Sequence, residues 1–151
     1  MVRQTDFRAL AQSRSGTAAV EAALTIPVFL LLLLATFDFA MGFSARMNLV
    51  STAARTAELA TGVGQVRADY AFLKAEAEAA ASNPDAVATV DTWLECDGIR
   101  NGPITNVCPS GQAFARYVKV QVRATYNPFF GLGGFLKDGV PIGGEATVRI
   151  Q

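Results

Sequence analysis

An uncharged stretch from Ala22 to Phe37 constrains this chain more than any other feature of its sequence. It contains an unbroken run of large apolar residues from Val28 to Leu34, which in a helix leaves no polar face for water. As an α-helix the stretch would extend about 24 Å, less than the roughly 30 Å hydrocarbon core of a bilayer. A helix that continues past Asp38 to Ala45 would reach about 36 Å. The pattern therefore predicts a transmembrane helix in which Asp38 lies near a headgroup region or faces a protein partner.

The charges on either side of this stretch bear on its orientation. Lysine and arginine together number 13, as do aspartate and glutamate, so no net charge favours binding to nucleic acid. Three arginines precede the apolar run and two follow it closely, at positions 3, 8, 14, 46 and 55. Because positive residues are retained on the cytoplasmic side of a membrane, this distribution favours a cytoplasmic N terminus.

The two cysteines, Cys96 and Cys108, both follow the apolar run. They do not form a C-x-x-C pair and the chain has no histidine, so a zinc site is not expected. A disulfide between them would stabilise the folded domain by roughly 3 kcal/mol in an oxidising compartment. Two separate reduced cysteines are the alternative. A disulfide agrees with a C-terminal domain on the outer side of the membrane.

A cleaved secretory signal peptide is an alternative explanation of the apolar run, because Ala40-Met41-Gly42 provides a small-x-small site. The apolar stretch is long for such a peptide, and Asp38 lies just before the site. Moreover, a helical pattern continues beyond it, at Met47, Val50, Ala54 and Ala57. The sequence therefore predicts one helix over residues 17–61, with the membrane-spanning first half including Ala22, Pro27, Asp38 and Phe43, and with Gly62 beyond its end.

Residues at the start of this helix are more specific. Arg14 to Glu21 resembles the processing site of type IV-like prepilins, in which a basic leader ends in glycine and glutamate is the fifth mature residue. The resemblance implies a cytoplasmic leader over residues 1–16 and cleavage between Gly16 and Thr17. Within that superfamily, residues 16–24, Ile26-Pro27-Val28 and Phe37-Asp38-Phe39 are similar to TadE-like (TadE/TadF) proteins.

That resemblance implies a pseudopilin of the tight-adherence (Tad/Flp) pilus system, anchored in the bacterial inner membrane with a periplasmic C-terminal domain. It also implies three kinds of protein partner: a prepilin peptidase, other pilin or pseudopilin subunits, and the Tad assembly machinery. Glu21 would then serve assembly by pairing with the freed amine of Thr17 on a neighbouring subunit. The alternative is an interfacial carboxylate that contacts only water.

The remaining residues, 62–151, predict a small α+β domain. Residues 68–81 are rich in alanine and glutamate and indicate a short helix with a thin apolar face at Phe72 and Leu73. Three strands are expected to follow, over residues 87–96, 118–126 and 146–150. The prediction is a three-stranded antiparallel sheet packed on the helices, with the cysteines in the connection between its first two strands.

Motifs of catalysis are not found in the sequence. The glycines at 131, 133 and 134 lack the lysine of a phosphate-binding loop, and no hydrolase, zinc-protease or paired-carboxylate pattern occurs. We therefore expect no enzyme activity, cofactor or metal; a membrane-tethered enzyme would need a specific catalytic carboxylate. The other alternative is an uncleaved, membrane-anchored periplasmic adaptor. The aromatic segment 129–136 either packs under the domain or forms a contact surface for another pilin subunit.

Overall fold

The computed structural model describes residues 15–62, 69–131 and 138–151. The first element is a single helix, α1, over Ser15–Leu59, which contains Pro27 in its interior. Both of its ends lie two residues before those expected from the sequence. Of the leader predicted over residues 1–16, all but the last two residues lie outside the described part of the chain.

Helix α1 has two parts that differ in their surroundings. From Gly16 to Leu34 every residue is exposed, although most of the side chains are apolar. The helix is a candidate membrane span with a mean hydropathy of 2.3, and the most apolar window is 0% buried inside the protein. From Leu49 onwards one side of the helix is buried against the rest of the chain. The α+β class with a long N-terminal apolar helix is therefore confirmed.

The domain is built on an antiparallel sheet of four strands: β1 (Val87–Cys96), β2 (Ile99–Arg100), β3 (Phe114–Tyr126) and β4 (Val140–Arg149). The strand order is β2-β1-β3-β4. The prediction of three strands was wrong because it missed β2, which pairs with the end of β1. Asp97 and Gly98 between them have φ angles of 49° and 79°, as a two-residue hairpin turn requires.

Strands β3 and β4 begin earlier than the alternating pattern suggested. Strand β4 starts at Val140 and includes Gly143 and Gly144, which have no side chain to contribute to an alternating pattern. At Gly144 the sheet meets α1 so closely that an added Cβ would collide with the backbone of Leu49 and Val50. Glycine is needed there for the approach of two backbones.

The second helix, α2, spans Phe72–Ala80, whereas residues 68–81 were predicted. Residues 63–68 lie outside the described ranges, and Asp69 accepts a hydrogen bond of 2.7 Å from the N–H of Ala71 before the helix begins. The apolar face also differs from the prediction. Leu73 and Ala77 are buried, whereas Phe72 is exposed.

The core lies between the second part of α1, helix α2 and one face of the sheet. Strand β3 contributes Val118, Val120 and Val122, which alternate as predicted. From α1 come Leu49, Ala53, Ala57 and Ala60, with Thr52 and Thr56 beside them. Of the apolar stripe expected at positions 47, 50, 54 and 57, the last member is buried, the middle two are half-buried and Met47 is exposed. The buried side was misplaced in part because small residues on both sides of the helix left its orientation undetermined.

Candidate functional site

A group of hydrogen bonds surrounds Asp38, which is the one charged residue of α1 between Glu21 and Arg46. Its carboxylate accepts hydrogen bonds from the backbone N–H groups of Phe129, at 2.9 Å, and of Phe130 and Gly131, at 3.0 and 3.1 Å. The backbone N–H of Phe130 also donates to the second carboxylate oxygen of Asp38, at 3.2 Å. Asp38 is 7% exposed. The sequence left open a headgroup or a protein partner for Asp38, and its partner in the structure is the chain's own β3–β4 connection.

Tyr126, at the end of β3, holds the sheet to the same point of the helix. Its hydroxyl donates a hydrogen bond of 3.2 Å to the carbonyl oxygen of Asp38. Its ring covers Gly42, where an added Cβ would lie 3.1 Å from a ring carbon. Burial, and to a lesser extent the negative charge of Asp38, raise the pKa of the Tyr126 hydroxyl. The hydroxyl therefore stays protonated, as a donor must.

Aromatic rings complete this contact. Phe130 meets Phe37 edge to face, with ring centroids 6.0 Å apart, and meets Phe129 in the same manner at 4.9 Å. Phe129 itself is 81% exposed. The described part of the aromatic segment is thus bonded to α1 through its backbone while one phenylalanine faces outwards. Residues 132–136 of that segment lie outside the described ranges.

Beside this contact, an open cleft with a volume of about 580 Å³ separates α1 from the start of β4. Its walls are mostly apolar and include Phe39, Gly42 and Phe43 on the helix and Ile142 on the strand. Arg46 lines the same cleft. Phe43, which was predicted to belong to the transmembrane helix, thus lies beyond Asp38, next to the domain.

Cys96 and Cys108 form a disulfide, with their Cα atoms 5.7 Å apart, so the predicted bridge is confirmed. Cys96 pairs with Phe114 at the end of the sheet opposite to Tyr126. Ile104, within the loop that the bridge closes, is buried. The disulfide therefore stabilises the far end of the domain and takes no part in the contact with Asp38.

The other predicted site residues lie along the exposed first part of α1. Among the described residues, an added Cβ at Gly16 would meet nothing within 4 Å outside its own helix. Glu21, Ala22 and Pro27 are exposed. Glu21 precedes Asp38 by more than four helical turns, so the structure does not bring these two carboxylates together.

Sequence reasoning missed Tyr126, Gly42 and the backbone N–H groups of residues 129–131. Two features of the sequence could have indicated this contact. One is an aspartate in an otherwise apolar helix, and the other is an aromatic segment for which the sequence suggests no packing partner. Within the described ranges, no group of three or more Cys, Asp and Glu side chains could hold a metal ion.

Together these features define a class: a protein with an N-terminal candidate membrane span whose helix continues into a small, disulfide-bonded α+β domain. Residues 16–58 match the family model described as TadE-like protein. This match confirms the TadE-like identification of that segment, and the family suggests a protein associated with a Tad pilus. Residues 59–151 lie beyond the match. Among curated proteins and solved structures, none matches the chain.

Proposed function

We propose that this chain is a pseudopilin of the Tad system, anchored in the inner membrane and processed by a prepilin peptidase. The observation that supports this most directly is the division of α1. One continuous helix exposes an apolar first part that begins at Gly16, and packs its second part on an antiparallel sheet. In such a subunit the exposed part of the helix can exchange contacts with lipid for contacts with other subunits. The domain keeps its own core during this exchange. The role is structural, without catalysis.

Processing is supported by the position of Gly16 in the first turn of α1. The first four N–H groups of a helix have no intrahelical partner, so this turn unwinds at little cost when a peptidase binds it. Glycine offers a permissive backbone and no side chain to the enzyme. Apart from its neighbours in the helix, no atom of the described residues lies within 4 Å of the position of an added Cβ, so a larger residue there should leave the fold intact.

The experiment is mass spectrometry of the N terminus of the membrane protein from cells with an active prepilin peptidase. We expect a mature chain that begins at Thr17, and an uncleaved chain for Gly16→Val. Ala23→Val is the matched control, because it adds the same side chain to an exposed position of the same helix. Wild-type protein that still begins at Met1 would refute the pseudopilin assignment and favour the uncleaved periplasmic adaptor.

Assembly is the part that we assign to Glu21. Its side chain is exposed on the apolar part of α1, and the sequence contains no lysine or arginine between it and Arg46. Among the described residues, no hydrogen bond or ion pair engages its carboxylate. A carboxylate inside the hydrocarbon of a bilayer costs several kcal/mol, most at the centre, unless a cation stabilises it. The amine freed at Thr17 of a neighbouring subunit supplies both charge and hydrogen bonds.

A further inference from the structure

Exposed phenylalanine side chains are concentrated around Asp38, where the domain joins the apolar part of α1. Phe129 is 81% exposed and Phe39 is 77% exposed, and Phe130 and Phe37 are also exposed beside them. They come from two segments of the chain, which the hydrogen bonds to Asp38 and the Phe37–Phe130 contact hold together. A soluble domain rarely leaves such a group of rings open to water.

The position of this group along the helix agrees with the surface of a bilayer. Residues 16–37, which precede Asp38, extend about 33 Å at about 1.5 Å per residue. That length matches a hydrocarbon core of roughly 30 Å. A span that begins near Gly16 therefore ends at Asp38, and the rings lie at the boundary between hydrocarbon and headgroups. Tryptophan and tyrosine are enriched at this depth in membrane proteins, and phenylalanine is among the residues that interfacial helices bury at the boundary of headgroups and acyl chains.

The hydrogen bonding of the connection fits the same environment. Backbone N–H groups that enter an apolar medium must find an acceptor, since water is not available there. Three consecutive groups, from Phe129 to Gly131, all donate to the carboxylate of Asp38. In water these amides would be solvated without such an acceptor. In turn, the connection covers a carboxylate that would be costly in contact with lipid.

Arg46 marks the next level outwards. It is exposed, lines the cleft next to Phe43, and follows Asp38 by two helical turns, about 12 Å along the axis. An arginine at that height can extend its guanidinium group to lipid phosphates while its aliphatic stem covers apolar surface. Along α1, a helix of hydrocarbon length is followed by aromatic rings and then by a cation. This order matches that of acyl chains, their boundary with the headgroups, and phosphates in a phospholipid leaflet.

We infer that the segment Pro128–Gly131 lies in the headgroup boundary of the bilayer, with Phe129 in contact with phospholipid, and sets the height of the domain above the membrane. The inference rests on the membrane anchoring that belongs to the proposed function. It adds a second, loop-based contact with lipid that the helix alone does not require.

The test uses the indole fluorescence of the full-length protein reconstituted in phosphatidylcholine vesicles with the domain outside. Trp93 is the only tryptophan of the chain. It pairs with Tyr117, which lies about 30 Å from Tyr126 along β3 at roughly 3.4 Å per residue. The Trp93→Phe, Phe129→Trp protein therefore places one reporter in the segment, and the wild-type protein is the matched control.

We expect bromine atoms near the top of the acyl chains to quench the indole at position 129, and aqueous iodide not to reach it. Trp93 of the wild type should be quenched by iodide and not by the brominated lipid. Asp38→Asn, introduced with the reporter, should reduce quenching by the lipid, whereas Asp85→Asn, a change at an exposed carboxylate, should not. If Trp93→Phe harms folding, Phe129→Trp alone gives the same result by difference from the wild type.

Two outcomes would overturn the inference while leaving the anchoring intact. In the first, the protein floats with the vesicles but iodide quenches position 129 and bromolipid does not. In the second, the indole is shielded from both quenchers and the shielding grows with protein density, which would indicate contact with another subunit. Protein that does not float with vesicles would refute the membrane anchoring and, with it, this inference.

Discussion

Asp38→Asn removes a charge from the contact between α1 and the β3–β4 connection while keeping the size of the side chain. In the native protein one carboxylate oxygen accepts from Phe129 and Phe130, and the other accepts from Phe130 and Gly131. The amide of asparagine has one oxygen and one NH2 group. At least one of the three backbone donors must therefore lose its acceptor and face another donor.

The magnitude follows from those contacts. A hydrogen bond to a charged group contributes about 1.5–3 kcal/mol, and a neutral one contributes about 1 kcal/mol. Asp38→Asn loses one hydrogen bond to a charged group and weakens two others. Because such terms are not additive, we expect less than their sum, a decrease of about 2–4 kcal/mol in the free energy of opening this segment. At about 1.4 kcal/mol for each factor of ten, backbone amides 129–131 should exchange roughly 30-fold to several-hundred-fold faster.

Hydrogen exchange of the full-length protein in detergent micelles, measured by mass spectrometry or NMR, provides the assay. The amides of Val120 and Val122, in the centre of β3, serve as the internal reference and should keep their rates. Asp85→Asn is the control for loss of a surface charge. Unchanged exchange at 129–131 would refute the role of Asp38 as an acceptor, and equal acceleration throughout β3 would mean that the substitution destabilises the whole domain.

Three further predictions concern other parts of the chain. Cys108→Ser should lower the free energy of unfolding of the domain by about 2–4 kcal/mol in urea titrations, and equal stability of the variant would contradict the role of the disulfide. Gly144→Ala should destabilise by about 1–3 kcal/mol, because its Cβ meets the backbone of Val50, whereas Gly62→Ala should have little effect in the same titration. Glu21→Ala should insert, be cleaved and fold normally but lose crosslinking to neighbouring pilin subunits in the membrane. Undiminished crosslinking would leave Glu21 as an interfacial carboxylate.

Local patterns determined several parts of this protein. The apolar run from Val28 to Leu34 was sufficient to predict the exposed helix, because the property depends on consecutive residues alone. Alternation determined β3 in the same manner, and the bounds of β1 agreed with the prediction at both ends. The match of residues 16–58 to the TadE-like family lies in this same locally encoded segment.

The missed hairpin was also encoded locally. Asp97-Gly98 is a typical two-residue turn, but a strand as short as β2 has no alternation that a pattern can detect. The buried side of α1 was different in kind. Alanines lie on all sides of that part of the helix, so hydrophobicity alone could not select Leu49 and Ala53 over Met47 and Ala54 as the buried residues. The orientation depends on the close approach of Gly144 to the helix backbone.

The sequence by itself determined that Asp38 needs a partner, because a carboxylate next to an apolar helix is costly without one. Only the tertiary structure decided which partner it has. The donors are backbone N–H groups more than 90 residues further along the chain, and every residue except proline carries such a group, so no side-chain pattern marks them. They reach Asp38 because β3 runs back along α1 and ends at Tyr126, a consequence of how the sheet packs on the helix.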